Sequence, residues 1–413
     1  MPPRVVGPLL CPVSPIPNHP GGKQMPLKGT FLETWLLGFL SPGLTDFLLN
    51  LVMAVVVALI ATLPIVVLTW MERKVVARIQ DRIGPNLAGP YGVLQAIADA
   101  IKMFTKEDTM PAEADRVVYN IAPIAMAAAA MMTYAVFPWS PGVIGADLNI
   151  GVLYFLAMGA ATTVAVLMAG WGSNNKYALL GAFRSVAQLI SYEIPQVLAL
   201  MVPIMFAGTM STVGIVQKQE VIYALLFPVS FLAFLIAGIA ETGRSPFDLL
   251  EAESEIVAGY HTEYSGMKFA LFFLAEYAAA FGIAVITTVV FLGGWRFFGL
   301  ETRLPFLAPI ILVLKALLVV FVLMWIRGTL PRFRIDHLLA FNWKFLVPLT
   351  LVNIVVVAIV GKVVEGAPFG LQAVALLASN LVLLFGALAI LGAAGRRARR
   401  QWEERIASLT EHA

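Results

Sequence analysis

Nine long apolar runs constrain this chain more than any other feature. They cover roughly residues 44–70, 117–139, 150–171, 187–206, 222–240, 269–293, 306–325, 345–360 and 371–391. Each is near the ~20 residues a helix needs to cross a ~30 Å hydrocarbon core. Inside lipid, only helices and closed barrels satisfy every backbone polar group. Charged residues make up 13% of the chain, about half the usual fraction of a soluble domain. The expected fold is all-α and polytopic, with about nine transmembrane helices. No internal repeat, heptad pattern or linker divides it. Residues 44–394 read as a single transmembrane domain, 1–43 as a flexible, Pro- and Gly-rich extension and 395–413 as a basic tail.

The placement of the cations sets a sidedness. Connection 71–116 carries Arg73, Lys74, Arg78, Arg82, Lys102, Lys106 and Arg116. Connections 172–186, 241–268 and 326–344 add Lys176 and Arg184, Arg244 and Lys268, and then Arg327, Arg332, Arg334 and Lys344. The tail adds Arg396, Arg397, Arg399, Arg400 and Arg405. The alternate connections are poorer in cations. With an odd number of spans the rich segments fall on one face, which the positive-inside rule makes cytoplasmic, with the N-terminus outside. The Ala- and Gly-rich composition and the lack of a signal sequence suit a bacterial plasma membrane. A net charge of +3 gives no argument for nucleic acid.

Against this apolar background one stretch stands out for its acids. Glu241, Asp248, Glu251, Glu253, Glu255, Glu263 and Glu276 lie close together, with Arg244, His261 and Lys268 as basic neighbours. Intramembrane carboxylates are costly and usually functional. Glu193 and Glu276 each fall about two turns inside a predicted span, where a carboxylate either carries a proton or touches a polar cavity. A carboxylate solvated at a helix end, or Glu193 paired with Arg184, is the plainer alternative. Glu251 and Glu255 are four apart, so on a helix they would share a face and repel. On charge alone the loop reads as a solvated acidic surface, but Phe247, Leu249, Leu250, Ile256, Val257 and Tyr260 interleave with the acids. Pro246 makes a turn of Arg244–Asp248.

Two other segments invite a function. Connection 71–116 is too long to be structureless. In it Leu94, Ile97, Ala98 and Ile101 follow helical spacing, with Gln95, Asp99 and Lys102 on a second face. By itself this reads as an interfacial amphipathic helix. Arg327, Arg332 and Arg334 would by default meet lipid headgroups. The chain has one cysteine and four histidines, so iron–sulfur or haem ligation is expected in partners. It lacks a phosphate-binding glycine loop and a nucleophile elbow.

Five motifs carry a resemblance. Glu72-Arg73-Lys74 through Gly84-Pro85, residues 92–102, Ser191-Tyr192-Glu193-Ile194-Pro195, residues 244–264 and Arg327-Gly-Thr-Leu-Pro-Arg-Phe-Arg resemble, in order, the H-type membrane subunits (subunit 1) of proton-pumping NADH:quinone oxidoreductase, respiratory complex I. The resemblance implies a membrane subunit that forms the membrane part of a quinone chamber and the start of a proton path. Glu72, Arg73 and Asp99 would lie at the quinone-binding chamber. Glu193, Glu241, Glu251, Glu253, Glu255 and Glu276 would serve as a proton relay. FMN and iron–sulfur clusters would sit in partner subunits, with hydrophilic quinone-site subunits on one side and membrane-arm subunits on the other. The family core has eight spans, so span 371–391 and the tail are additions, as is the long N-terminal extension. Leu250 stands where the family often has Pro or a small residue.

Two other readings compete. An anchor subunit of a membrane-bound, energy-converting hydrogenase shares the fold and several motifs but uses no quinone. A stand-alone secondary transporter should show inverted repeats and broken helices in matching halves, and neither is visible.

Overall fold

The computed structural model describes residues 42–249, 258–297, 299, 301, 304 and 306–411. The acids Glu251, Glu253 and Glu255, and nearly all of the N-terminal extension, lie outside these residues. The described residues are helical almost throughout. In order, its helices are α1 (Pro42–Ile79), α2 (Gln95–Thr105), α3 (Arg116–Met132), α4 (Gly151–Gly172), α5 (Lys176–Ala207), α6 (Thr212–Lys218), α7 (Tyr223–Leu226), α8 (Pro228–Glu241), α9 (Gly266–Phe291), α10 (Leu307–Thr329), α11 (Ile335–Phe341), α12 (Val347–Val363) and α13 (Phe369–Glu411). A two-stranded hairpin, Pro138–Ser140 with Val143–Ile144, follows α3.

Among the described residues seven helices are long and apolar enough to cross a membrane: Arg116–Val136, Gly151–Gly172, Lys176–Ala207, Gly266–Phe291, Leu307–Thr329, Ile335–Val363 and Phe369–Arg397. The multi-pass helical expectation holds, but the count of nine is not reproduced. The first predicted run lies within α1. The fifth, 222–240, is cut at Phe227, whose φ of −125° and ψ of 61° separate α7 from α8. Pro228 explains the cut, because it has no N–H to continue the α7 ladder and restricts the residue before it. The remaining α8 has 14 residues, too few to span alone.

Other boundaries moved for local reasons. Most of connection 172–186 is helix, because the Asn175 side chain caps α5 by accepting from the Tyr177 N–H. The eighth run extends back to Ile335 through a π-helical turn at Asn342–Leu346. The basic tail continues α13 to a length of 43 residues.

The interior is built on α5 and α9. Every residue from Ala280 to Phe291 of α9 is buried, as expected for a helix surrounded by others. Small residues let backbones close up at these crossings. A Cβ on Gly238 of α8 would stand 2.7 Å from the Ile283 side chain of α9, and one on Gly181 of α5 would stand 2.8 Å from Gly259.

The long connections meet at one end of the bundle. Thr109 and Ser265 hydroxyls lie 2.8 Å apart, the Tyr119 hydroxyl donates to the Glu263 carbonyl, and the Phe333 N–H donates to the Pro246 carbonyl. The opposite end is closed by uncharged acceptors around single donors. The Lys315 ammonium donates to the carbonyls of Leu292, Gly294 and Arg296 at 2.7–3.1 Å, and the Gln219 amide to those of Val289 and Val290.

Candidate functional site

The C-terminal ends of α1 and α10, and the chain just beyond α8, converge on Glu72. Its carboxylate accepts from Arg244 Nη1 at 2.5 Å and is also ion-paired with Arg327 Nη1. The Glu72 side chain is 6% exposed and that of Arg244 11%. Two guanidiniums on one carboxylate leave a net positive charge, and the Arg244 guanidinium also lies 4.5 Å over the Tyr277 ring. Removing Glu72 from such a cluster would leave two buried guanidiniums uncompensated, whereas either arginine alone still balances the carboxylate.

Arg73, the next residue, faces the other way. It pairs with Asp99 of α2 at 2.6 Å, and Gln95 donates to the second Asp99 oxygen at 3.0 Å. This pair is open to its surroundings, with the Arg73 side chain 49% exposed and Asp99 33%. Helix α2 has no buried residue, and Ile97, Ile101 and Phe104 are among its exposed side chains. The amphipathic helix is thus present and lies outside the bundle. Of the three residues expected at a quinone chamber, the structure groups Arg73 with Asp99 and turns Glu72 inward.

Behind Arg244 and Arg327 a polar cavity of about 70 Å³ is lined by Thr242, Gly243, Phe273, Glu276 and Tyr277 as well as the two arginines. Glu276 accepts from the Tyr260 hydroxyl at 3.0 Å. Glu276 and Thr242 also line a second cavity of about 40 Å³ between α3, α4, α5 and α9, which reaches Glu241. Glu241 accepts from the Gln196 amide at 2.5 Å. A third cavity of about 10 Å³ holds Glu193, Gln196 and Glu241. Glu276, Glu241 and Glu193 therefore form a series in which each member shares a cavity with the next.

Helix α5 supplies both the last acid and the support. Gln188 donates to the carbonyls of Ala240 and Phe247, tying the end of α8 to the chain that leaves it. The Tyr192 hydroxyl donates to the Leu338 carbonyl, and Asn342, at the π-helical turn, donates to the Ser191 carbonyl. These uncharged bonds fix the backbone around Glu193 and Glu241. Next to Tyr260, the His261 ring is buried with an unpartnered Nδ1, and burial pushes its pKa down to about 4. His261 is accordingly neutral near pH 7.

The acids are evident in the sequence, but not all of their partners. Tyr260, Tyr277, Thr242 and Gln196 were not singled out as site residues. For Gln196 a signal existed: it lies three residues after Glu193 and so on the same helix face. Tyr277 and Thr242 offered none, since only packing brings them to Arg244 and Glu276. Among the described residues no group of three or more His, Cys, Asp or Glu is placed to hold a metal ion.

Fold and site together define a multi-pass helical membrane protein that keeps a line of carboxylates inside its bundle, behind a buried arginine cluster. The chain belongs to the NADH dehydrogenase family, whose model matches residues 51–358. It is 46% identical over 345 residues to the H subunit of NADH-quinone oxidoreductase from Dehalococcoides mccartyi (strain CBDB1), covering 83% of this chain and 95% of that one. To the counterpart from Geobacillus kaustophilus it is 48% identical over 291 residues, covering 70% and 87%. To the counterpart numbered 2 in Syntrophobacter fumaroxidans it is 46% identical over 333 residues, covering 78% and 96%. The C-terminal part of α12 and all of α13 lie beyond the family match.

Proposed function

We propose that this chain is a membrane subunit of a proton-translocating NADH:quinone oxidoreductase that forms the membrane part of the quinone chamber and the start of the proton path. The observation that carries the reading is the series of three cavities, in which Glu276 is shared by the first two and Glu241 by the last two. A path for protons needs titratable groups separated by spaces that water can bridge, and it needs protein to exclude water elsewhere. The oxidoreductase named in the relatives supplies the reason for a path at this place.

Reducing a quinone to the quinol consumes two electrons and two protons. The electrons would come through FMN and iron–sulfur clusters of partner subunits. This chain's part is electrostatic. The cluster of Glu72, Arg244 and Arg327 carries net positive charge beside Glu276, so a change of charge on a nearby quinone alters how readily Glu276 holds a proton. Glu241 and Glu193 lie close enough to be coupled, so a proton taken by one disfavours a proton on the other. Glu251, Glu253 and Glu255 would extend this relay toward the hydrophilic subunits. Arg73 and Asp99, joined at the bundle's outer face, would border the chamber entrance, with Glu72 on the inner wall. The membrane would be a bacterial plasma membrane, with the N-terminus outside and the C-terminus cytoplasmic.

The test is to make Glu276→Gln and Glu193→Gln, singly and together, in the whole complex. Expected is at least a tenfold loss of quinone reductase activity and of proton pumping in the double variant, with NADH:ferricyanide activity and assembly retained. Wild-type quinone reduction and pumping in an assembled double variant would remove the relay.

A further inference from the structure

The end of α1 and the chain just beyond it bear four cations, and they divide into two kinds. Arg73 is paired with Asp99, and Arg82 donates to the Gln80 side chain at 2.7 Å. Lys74 and Arg78 have no ionic partner among the described residues. They are one helical turn apart, on one face of α1. Below them opens a groove of about 410 Å³ between α1 and α10, lined by Lys74, Val75, Arg78, Ile79, Phe321 and Trp325. Apart from the two cations the wall is hydrocarbon and aromatic. The helices touch beside it: a Cβ on Gly328 would stand 2.6 Å from Ile79. Trp325 and Phe321, one turn apart on α10, are 56% and 46% exposed.

We propose that this groove is a binding site for an anionic phospholipid, with the phosphate on Lys74 and Arg78 and an acyl chain against Val75, Ile79, Phe321 and Trp325. Three observations favour a lipid over another occupant. The groove runs along a helix apolar enough to span the bilayer, so acyl chains are its ordinary surroundings. Its two cations sit at the helix end, where long basic side chains reach headgroups. The exposed Trp325 lies at the same level, where tryptophan is enriched in membrane proteins. Zwitterionic lipids would leave the two cations uncompensated, so the headgroup is specified as anionic. The site is separate from the carboxylate series, because Glu72 and Arg327 face the bundle interior from these same two helices.

Photolabelling of the intact purified complex tests this. The probes are phosphatidylglycerol and phosphatidylcholine carrying the same diazirine-tailed acyl chain, each delivered in mixed micelles. Phosphatidylglycerol should label peptides 74–79 and 321–325 more strongly than phosphatidylcholine. In Lys74→Gln/Arg78→Gln its labelling should fall at least about fivefold, in keeping with two lost headgroup contacts, while phosphatidylcholine labelling stays unchanged. Both residues lie at the periphery of the bundle, and NADH:ferricyanide activity of the variant reports assembly. Equal labelling by the two lipids in the wild type, or unchanged phosphatidylglycerol labelling in the double variant, overturns the headgroup assignment. No lipid adduct on either peptide, the result if a partner subunit covers the groove, overturns the site.

Discussion

Glu72 and Arg73 are adjacent in sequence, and the molecule treats their charges in opposite ways. Glu72 is buried between Arg244 and Arg327, contributed by segments more than 170 residues away. Arg73 makes a single open contact to Asp99 of a helix with no buried residue. The difference teaches which charges the fold depends on. In the buried cluster the ions have given up water and rely on one another, so loss of Glu72 leaves two uncompensated guanidiniums. At the open pair water replaces either partner at little cost. The first contact lies inside the bundle, and the second stays open at its outer face.

The largest effect should come from breaking the buried side. Glu72→Gln leaves the Arg244 and Arg327 guanidiniums side by side without the carboxylate that balances them. About 3–5 kcal/mol should be lost, seen as thermal inactivation of the purified complex at a clearly lower temperature. An unchanged inactivation curve would mean that the cluster contributes nothing to holding the ends of α1 and α10 together.

His261 gives the next effect and a pH signature. Its ordinary value is 6.5 and burial holds it near 4. The unfolded chain therefore takes up a proton that the folded chain refuses. The stability conferred by the neutral ring is complete above about pH 6.5, declines as pH falls through that window, and levels off near 4. The total loss is on the order of 3 kcal/mol. His261→Phe should flatten that part of the pH–stability curve, which thermal inactivation at several pH values would show.

Smaller still is Gly159→Ala. Its Cβ would stand 3.0 Å from a Glu241 carboxylate oxygen, at the wall shared by the second and third cavities. Because the carboxylate can turn aside, stability should hardly change while proton pumping drops a few-fold in reconstituted vesicles. The smallest stability effect belongs to the open pair. Asp99→Asn should move stability by no more than ~1 kcal/mol, so any large fall in quinone reductase activity would assign Asp99 to the ligand rather than to the fold.

The same contrast marks what was legible in the sequence. Apolar runs, the cation-rich connections and the amphipathic segment at residues 92–102 could be read because they depend on local composition and period. The acids stood out for a similar reason, being rare where they occur. The break at Phe227 was also written locally, in Pro228, and a 19-residue run of grease concealed it. The grouping of acids was not legible. Nothing in the order of residues separates Glu72 from Arg73, or reveals that Glu276 and Glu241 face one cavity. Those facts arise from how α5, α8 and α9 cross. Likewise the π-helical turn at Asn342 depends on a bond to the Ser191 carbonyl some 150 residues away.

The cavities described between Arg244 and Glu193 shrink in order, at about 70, 40 and 10 Å³. A water needs at least about 10–15 Å³ of such space. The first can therefore hold a small hydrogen-bonded cluster, the second two or three molecules, and the third at most a single, tightly fitted one. On the proposed proton path, conduction along such a taper would not be uniform. Where several waters fit, a proton can be relayed through a fluctuating wire. Between Glu241 and Glu193 it would have to wait for one molecule, or for a carboxylate to swing. That narrow segment would act as the valve of the path, setting its pace and its resistance to back-flow, and solvent deuterium should slow pumping there more than it slows electron transfer.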